Sequence, residues 1–142
     1  MFKAIADEVF SANHKKGFYE DGEAIKKVLE ENSPDLIPAF EKMLFAQRVA
    51  LLHTELSEAL ESNRKNKHFN EKWRDLDWDS MSEENFKEAF ELHVKDTVED
   101  EIADVQIRNL DLAGNLELDL DFHVKQKLRY NSYRPHKHGK TY

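Results

Sequence analysis

The longest regular pattern in the chain is "AFEKMLFAQRVALLHTELSEALESNRK", which follows Pro38 and sets Leu44, Leu51 or Leu52, Leu56 and Leu60 at helical spacing. It predicts a long helix. Upstream, the apolar positions recur from about Ile5 to Lys16 and stop at Gly17, which is placed like a glycine that ends a helix. A short helix is expected near Glu23 to Glu31, followed by a proline-punctuated crossing. The polar stretch from Asn63 to Asp79 lacks a strong period and reads as an excursion, with Trp73 and Trp78 separated by charged residues. Ser80 or Ser82 then precedes "EENFKEAFELH" as a helix start, Ser80 and Glu83 standing at capping-box spacing. In "KDTVEDEIADVQIRNLDLAG" Asp96 or Thr97 is the expected cap, the first turn is acidic, and Gly114 is the expected stop. A last helix is expected from about Asp119 to Pro135, leaving a basic tail over 135–142.

Composition agrees with this pattern. With 35% charged residues, four glycines and three prolines, the chain favours helices over the many turns of a sandwich, so the expected class is all-α. A length of 142 residues fits a single domain over 1–142, short enough that self-association would help bury apolar surface. The absence of cysteine removes disulfides, thiolate metal sites and cysteine nucleophiles, and makes cytoplasmic residence the simplest expectation. Asp7 and Glu8 interrupt the N-terminal apolar run, and no segment approaches the ~20 apolar residues of a membrane span. The net charge of −8 is uneven: from Phe122 onward there are six basic residues and no acid. An acidic body gives little purchase to a nucleic-acid backbone, although Tyr130 and Tyr133 interleave with the basic residues.

Carboxylates among leucines are the first chemical signal. Residues three apart on a helix are neighbours, so Glu55 and Glu58 project together, as do Glu101 and Asp104. A single such pair is usually a solvated face. The second pair sits in a segment apolar around most of its circumference, with Ile102, Val105, Ile107, Leu110 and Leu112, so that helix is expected to be largely buried and its acids to need partners. Four converging carboxylates would repel one another unless cations lie between them, and hard oxygen ligands suit magnesium or manganese better than zinc. A di-iron site is disfavoured, since no Glu-x-x-His pair is present.

The last helix carries the second signal. Lys127, Asn131 and Arg134 fall on one stripe with His123 a turn earlier, beside an apolar stripe of Leu120, Val124 and Leu128. The row could grip phosphate oxygens, or it could be an exposed helix face with a loose tail.

Taken in order, "ELSE" (Glu55 to Glu58), "EIAD" (Glu101 to Asp104) and "KLRYNSYR" (Lys127 to Arg134) resemble the motifs of the all-α nucleoside triphosphate pyrophosphohydrolases, the MazG-like superfamily. The likeness covers about Phe45 to Lys140, and "HKKGFY" is similar to the family's opening helix and aromatic turn. The interval between the acidic motifs is longer than is usual there, which makes 63–93 an insertion, and inserted loops often shape a pocket.

The resemblance implies a helix bundle that hydrolyses a (deoxy)nucleoside triphosphate between the α and β phosphates, giving a monophosphate and pyrophosphate, in nucleotide-pool house-cleaning. It implies Mg2+, with Mn2+ as a substitute, held by Glu55, Glu58, Glu101 and Asp104 for catalysis by a metal-activated water. Lys127, Asn131 and Arg134 would hold substrate phosphates. A homo-oligomer, dimer or dimer of dimers, is expected. Phe18, Tyr19, Trp73 and Trp78 are candidates to stack a base, set against ordinary packing. Glu61 reads as a surface bystander and His53 as a polar helix residue. The alternative is a non-catalytic, nucleotide- and metal-binding regulatory bundle; a helical oligomerisation module with merely solvated acids is a third reading.

Overall fold

The computed structural model describes residues 1–135. Among these there is no strand, and six α-helices follow one another: α1 (Phe2–Lys15), α2 (Glu20–Asn32), α3 (Ile37–Arg64), α4 (Glu83–His93), α5 (Val98–Asn115) and α6 (Leu120–Ser132). The all-α class holds. Between α3 and α4 lies a segment with only two single-turn 3-10 pieces, Glu71–Trp73 and Trp78–Ser80, where the sequence lost its period. No helix is long and apolar enough to cross a membrane among the described residues.

Local chemistry sets the helix ends. Gly17 has φ +85°, the left-handed conformation that ends α1 at low steric cost. Ser82, rather than Ser80, caps α4, its hydroxyl accepting from the Asn85 amide at 3.3 Å. Thr97 caps α5 by accepting from the Asp100 amide at 3.2 Å, while the Asp100 carboxylate accepts from the Asp96 amide at 2.9 Å. Asp96 itself takes φ +57° and is not the cap. Asp119 caps α6 through the Phe122 amide at 3.0 Å.

The chain forms two compact units. The first comprises Met1–Ile25 with Leu110–Tyr142. In it Tyr19 is buried, packs edge-on against Phe10 at 5.0 Å, and donates its hydroxyl to Asp111 at 2.8 Å. Gly114 does not stop α5, which continues to Asn115. It lies so close to α1 that an added Cβ would stand 2.5 Å from the Ala6 carbonyl oxygen and 2.7 Å from Phe10 Cβ. The residue permits close approach of two helices. Asp121, in the first turn of α6, accepts from the α-amino group of Met1 and from the amides of Phe2 and Lys3 at 3.0–3.1 Å, closing the start of α1.

The second unit is Lys26–Asn109. Here the end of α3 and the residues after it are stitched to the start of α5: Ser62 Oγ donates to the Asp96 carbonyl at 2.9 Å, and the Val98 amide to the Lys67 carbonyl at 3.0 Å. Glu55, two turns before Ser62, pairs with Arg108 further along α5, so the helices run antiparallel. The leucine stripe of α3 is less covered than its spacing suggested, with Leu56 47% and Leu60 52% exposed; the helix buries Glu55, Ala59 and Ser62 instead. Its apolar residues lie on more than one face, and the small side chains take the close contact.

Candidate functional site

The antiparallel pairing of α3 and α5 brings the two acidic motifs together. Glu55, Glu58 and Glu101 each offer a carboxylate oxygen, and these atoms lie within 4.8 Å of one another. Glu55 and Glu101 are buried and Glu58 is exposed, so the cluster has a closed side and an open side. Asp104 does not join this group of three. It is half-buried one turn beyond Glu101, close enough to Glu55 and Glu58 to sense their charge.

Electrostatics mark the cluster as strained. Burial pushes the Glu101 carboxyl above the ordinary carboxylate range, and the negative charges of Glu58, Asp100, Asp104 and Glu55 add to the rise. Asp104 is raised as well, first by burial and then by Asp100 and Glu55, with Arg108 opposing. One cation from the chain itself reaches in: Arg108 Nε donates to Glu55 Oε1. Arg108 was not a sequence candidate. Its signal was present as the i,i+4 relation to Asp104, but only the fold showed that Glu55 is its partner.

The neighbouring acids are different. Glu99 accepts from the Phe69 amide at 2.8 Å, which holds its carboxyl below the usual range, so it anchors the segment after α3. Glu61 pairs with Lys65 at 3.3 Å on the surface. The expectation of a largely buried α5 does not hold: Ile102 and Ile107 are 44% and 43% exposed, and the helix buries Glu101 while leaving those apolar side chains open.

The basic row lies on α6, in the first unit. Lys127 stands over the Tyr130 ring at 5.3 Å, Arg134 is half-buried, and the Asn131 Oδ1 atom is buried without a hydrogen-bond partner. Asp111 Oδ1 is in the same condition. Of the apolar stripe beside that row, Leu128 is 65% exposed. Lys137, Lys140 and the rest of the tail beyond Pro135 lie outside the described residues.

The four aromatic candidates part company. Tyr19 is a packing residue, Phe18 is exposed, and Trp73 stacks on His93 at 3.8 Å. Trp78 lines a cavity of about 390 Å³ in the second unit, with Asp104 in the same wall. Comparison with protein-family models, with curated proteins and with solved structures returns no match.

Three carboxylates on two antiparallel helices supply only oxygen donors, and their mutual repulsion is a cost that a divalent cation would relieve. The residues therefore fit a hard metal ion such as Mg2+ or Mn2+.

Proposed function

We propose that the chain is a magnesium-dependent nucleoside triphosphate pyrophosphohydrolase of the MazG-like all-α type, converting a (d)NTP to the monophosphate and pyrophosphate. The observation that supports it is the meeting of Glu55, Glu58 and Glu101, from the two motifs that carry the resemblance, within 4.8 Å.

In this reading Glu55, Glu58 and Glu101 hold the metal, which when bound neutralises phosphate oxygens and lowers the pKa of water. Asp104, outside the three and raised chiefly by burial, accepts the proton released as water attacks and the bond between the α and β phosphates breaks. Arg108 keeps Glu55 oriented. Lys127, Asn131 and Arg134 carry the phosphate-binding role on sequence grounds alone. Self-association into a dimer or dimer of dimers is supported by the exposed Met43, Leu56 and Leu60 of α3. The absence of cysteine supports a cytoplasmic setting.

The test is pyrophosphate release from canonical and modified nucleoside triphosphates with Mg2+, in the wild type and in Glu101→Gln. Release by the former and its loss in the latter, with helical content unchanged, is expected; equal activity in both would sink the assignment. A second reading, a non-catalytic nucleotide- and metal-binding regulatory bundle, is favoured by the Arg108–Glu55 pair, which already satisfies one carboxylate internally. Mg2+-dependent nucleotide binding without turnover would select it.

A further inference from the structure

Arg108 brings a positive charge into the carboxylate cluster, and it does so with a single donor. Its Nε donates to Glu55 Oε1, while Nη1 and Nη2, which carry the rest of its N–H groups, make no hydrogen bond among the described residues. The pair is single-pointed. A guanidinium whose whole task is to neutralise a carboxylate commonly closes on it with a bidentate fork, and here most of the fork is left over.

Exposure differs across the pair as well. The Glu55 side chain is 8% exposed and that of Arg108 42%, so the bond runs from the closed side of the cluster outward to solvent. Other ion pairs of this unit, Lys67 with Asp96 and Lys26 with Glu41, join two exposed side chains and reach no buried acid. Arg108 also stands one turn beyond Asp104 on α5, where its charge opposes the rise of the Asp104 carboxyl. One side chain thus adjoins a ligand of the proposed metal and the proposed base.

A polyphosphate arriving here meets Glu55, Glu58, Glu101 and Asp104, and one divalent cation leaves part of that like charge in place. A further cation on the same unit would offset it. Lys127 and Arg134 belong to the first unit, whereas Arg108 and the four acids all belong to the second. A planar group with uncommitted N–H donors matches two oxygens of one phosphate, which an ammonium meets only as a point charge.

Resting on the pyrophosphohydrolase reading above, we propose that Arg108 is a substrate-binding residue whose Nε keeps Glu55 in place while Nη1 and Nη2 take oxygens of the triphosphate. The metal ligand and the phosphate are then joined through one guanidinium.

The experiment measures two affinities in the same variants: inorganic tripolyphosphate in Mg2+, by titration calorimetry, and Mn2+ alone, by electron paramagnetic resonance. Arg108→Gln is expected to lose about tenfold or more for tripolyphosphate, with Mn2+ affinity undiminished. Lys67→Gln, which removes an exposed cation of the same unit, should leave both as they were. Should Arg108→Gln not fold, as read by circular dichroism, Arg108→Lys keeps the charge without the fork and is expected to bind tripolyphosphate more weakly than the wild type. Wild-type tripolyphosphate affinity in a folded variant overturns the proposal. So does a parallel loss of Mn2+ and tripolyphosphate, which a residue that only orients Glu55 would give, or an equal loss in Lys67→Gln, which a diffuse charge effect would give. The two readings separate cleanly. Arg108-dependent tripolyphosphate binding without pyrophosphate release from nucleoside triphosphates keeps the phosphate contact and removes the hydrolase, whereas release at unchanged kcat/KM in Arg108→Gln keeps the hydrolase and removes the contact.

Discussion

Asp121 and Glu101 occupy the same kind of place, the first turn of a helix, and are held in opposite states. Asp121 opens α6 and receives the amides of Lys3 and Phe2 and the amino group of Met1, which together hold its carboxyl below the usual range. Glu101 opens α5 and meets burial and four other carboxylates, which push it above that range. A helix N-terminus favours both acids through its dipole. The difference lies in what the rest of the fold brings to each: donors in one case, like charge in the other. An acid of the first kind holds structure together, and an acid of the second kind stores repulsion that a ligand can release.

That contrast can be broken most sharply at Glu101. Replacing it with Gln should cut pyrophosphate release by at least about 100-fold, some 2.7 kcal/mol of transition-state stabilisation, while the metal-free protein melts no lower than the wild type. A fall in both would place Glu101 with the structural acids. Asp104→Asn is expected to lose turnover but keep most of the metal-induced stabilisation, because Asp104 stands outside the group of three.

Mg2+ itself should raise the melting temperature at neutral pH, by about 2.7 kcal/mol of stability at a concentration 100-fold above Kd. The sign with pH follows from the raised carboxyls. Their favourable contribution is present below the ordinary carboxylate range, where they are protonated in both states, and is lost as pH rises through their raised values. Differential scanning across pH in chelator should therefore show destabilisation on that rise, and Mg2+ should reverse it. Asp121 and Glu99 run the other way, losing their contribution as pH falls through their lowered values.

Gly114→Ala probes the first unit alone. Its Cβ would meet the Ala6 carbonyl oxygen at 2.5 Å, and the overpacking should cost about 1–3 kcal/mol by denaturant melting, with no change in metal response. Arg108→Gln should cost less, about 1 kcal/mol at most, because the guanidinium is 42% exposed and partly screened. It should also enlarge the stabilisation by Mg2+, since Glu55 loses its internal cation; an unchanged metal response would show that the pair does not compete with the metal. Asp121→Asn should have the smallest effect, a slight loss of helicity at the start of α1 measured by amide exchange.

The helices were legible because period and caps are local properties: the long pattern after Pro38, the break at Gly17 and the acidic first turn of α5 each appear in the fold. Gly114 was misread, because a glycine that ends a helix and one that lets two helices touch look the same in sequence. The carboxylate pairs were legible as pairs, since three-residue spacing fixes a shared face. Arg108 was not, as its partner lies 53 residues away.

The amino-acid order by itself determined the all-α class, the break after α1 at Gly17 and which acids share a face, because each depends on interactions within a turn or two. Only the tertiary structure decided that α3 and α5 run antiparallel, so that Glu55, Glu58 and Glu101 meet, that Asp104 stands apart from them, and that Phe69, Trp78 and Phe90 line one open cavity. Those outcomes depend on contacts between residues tens of positions apart, and no local period records them.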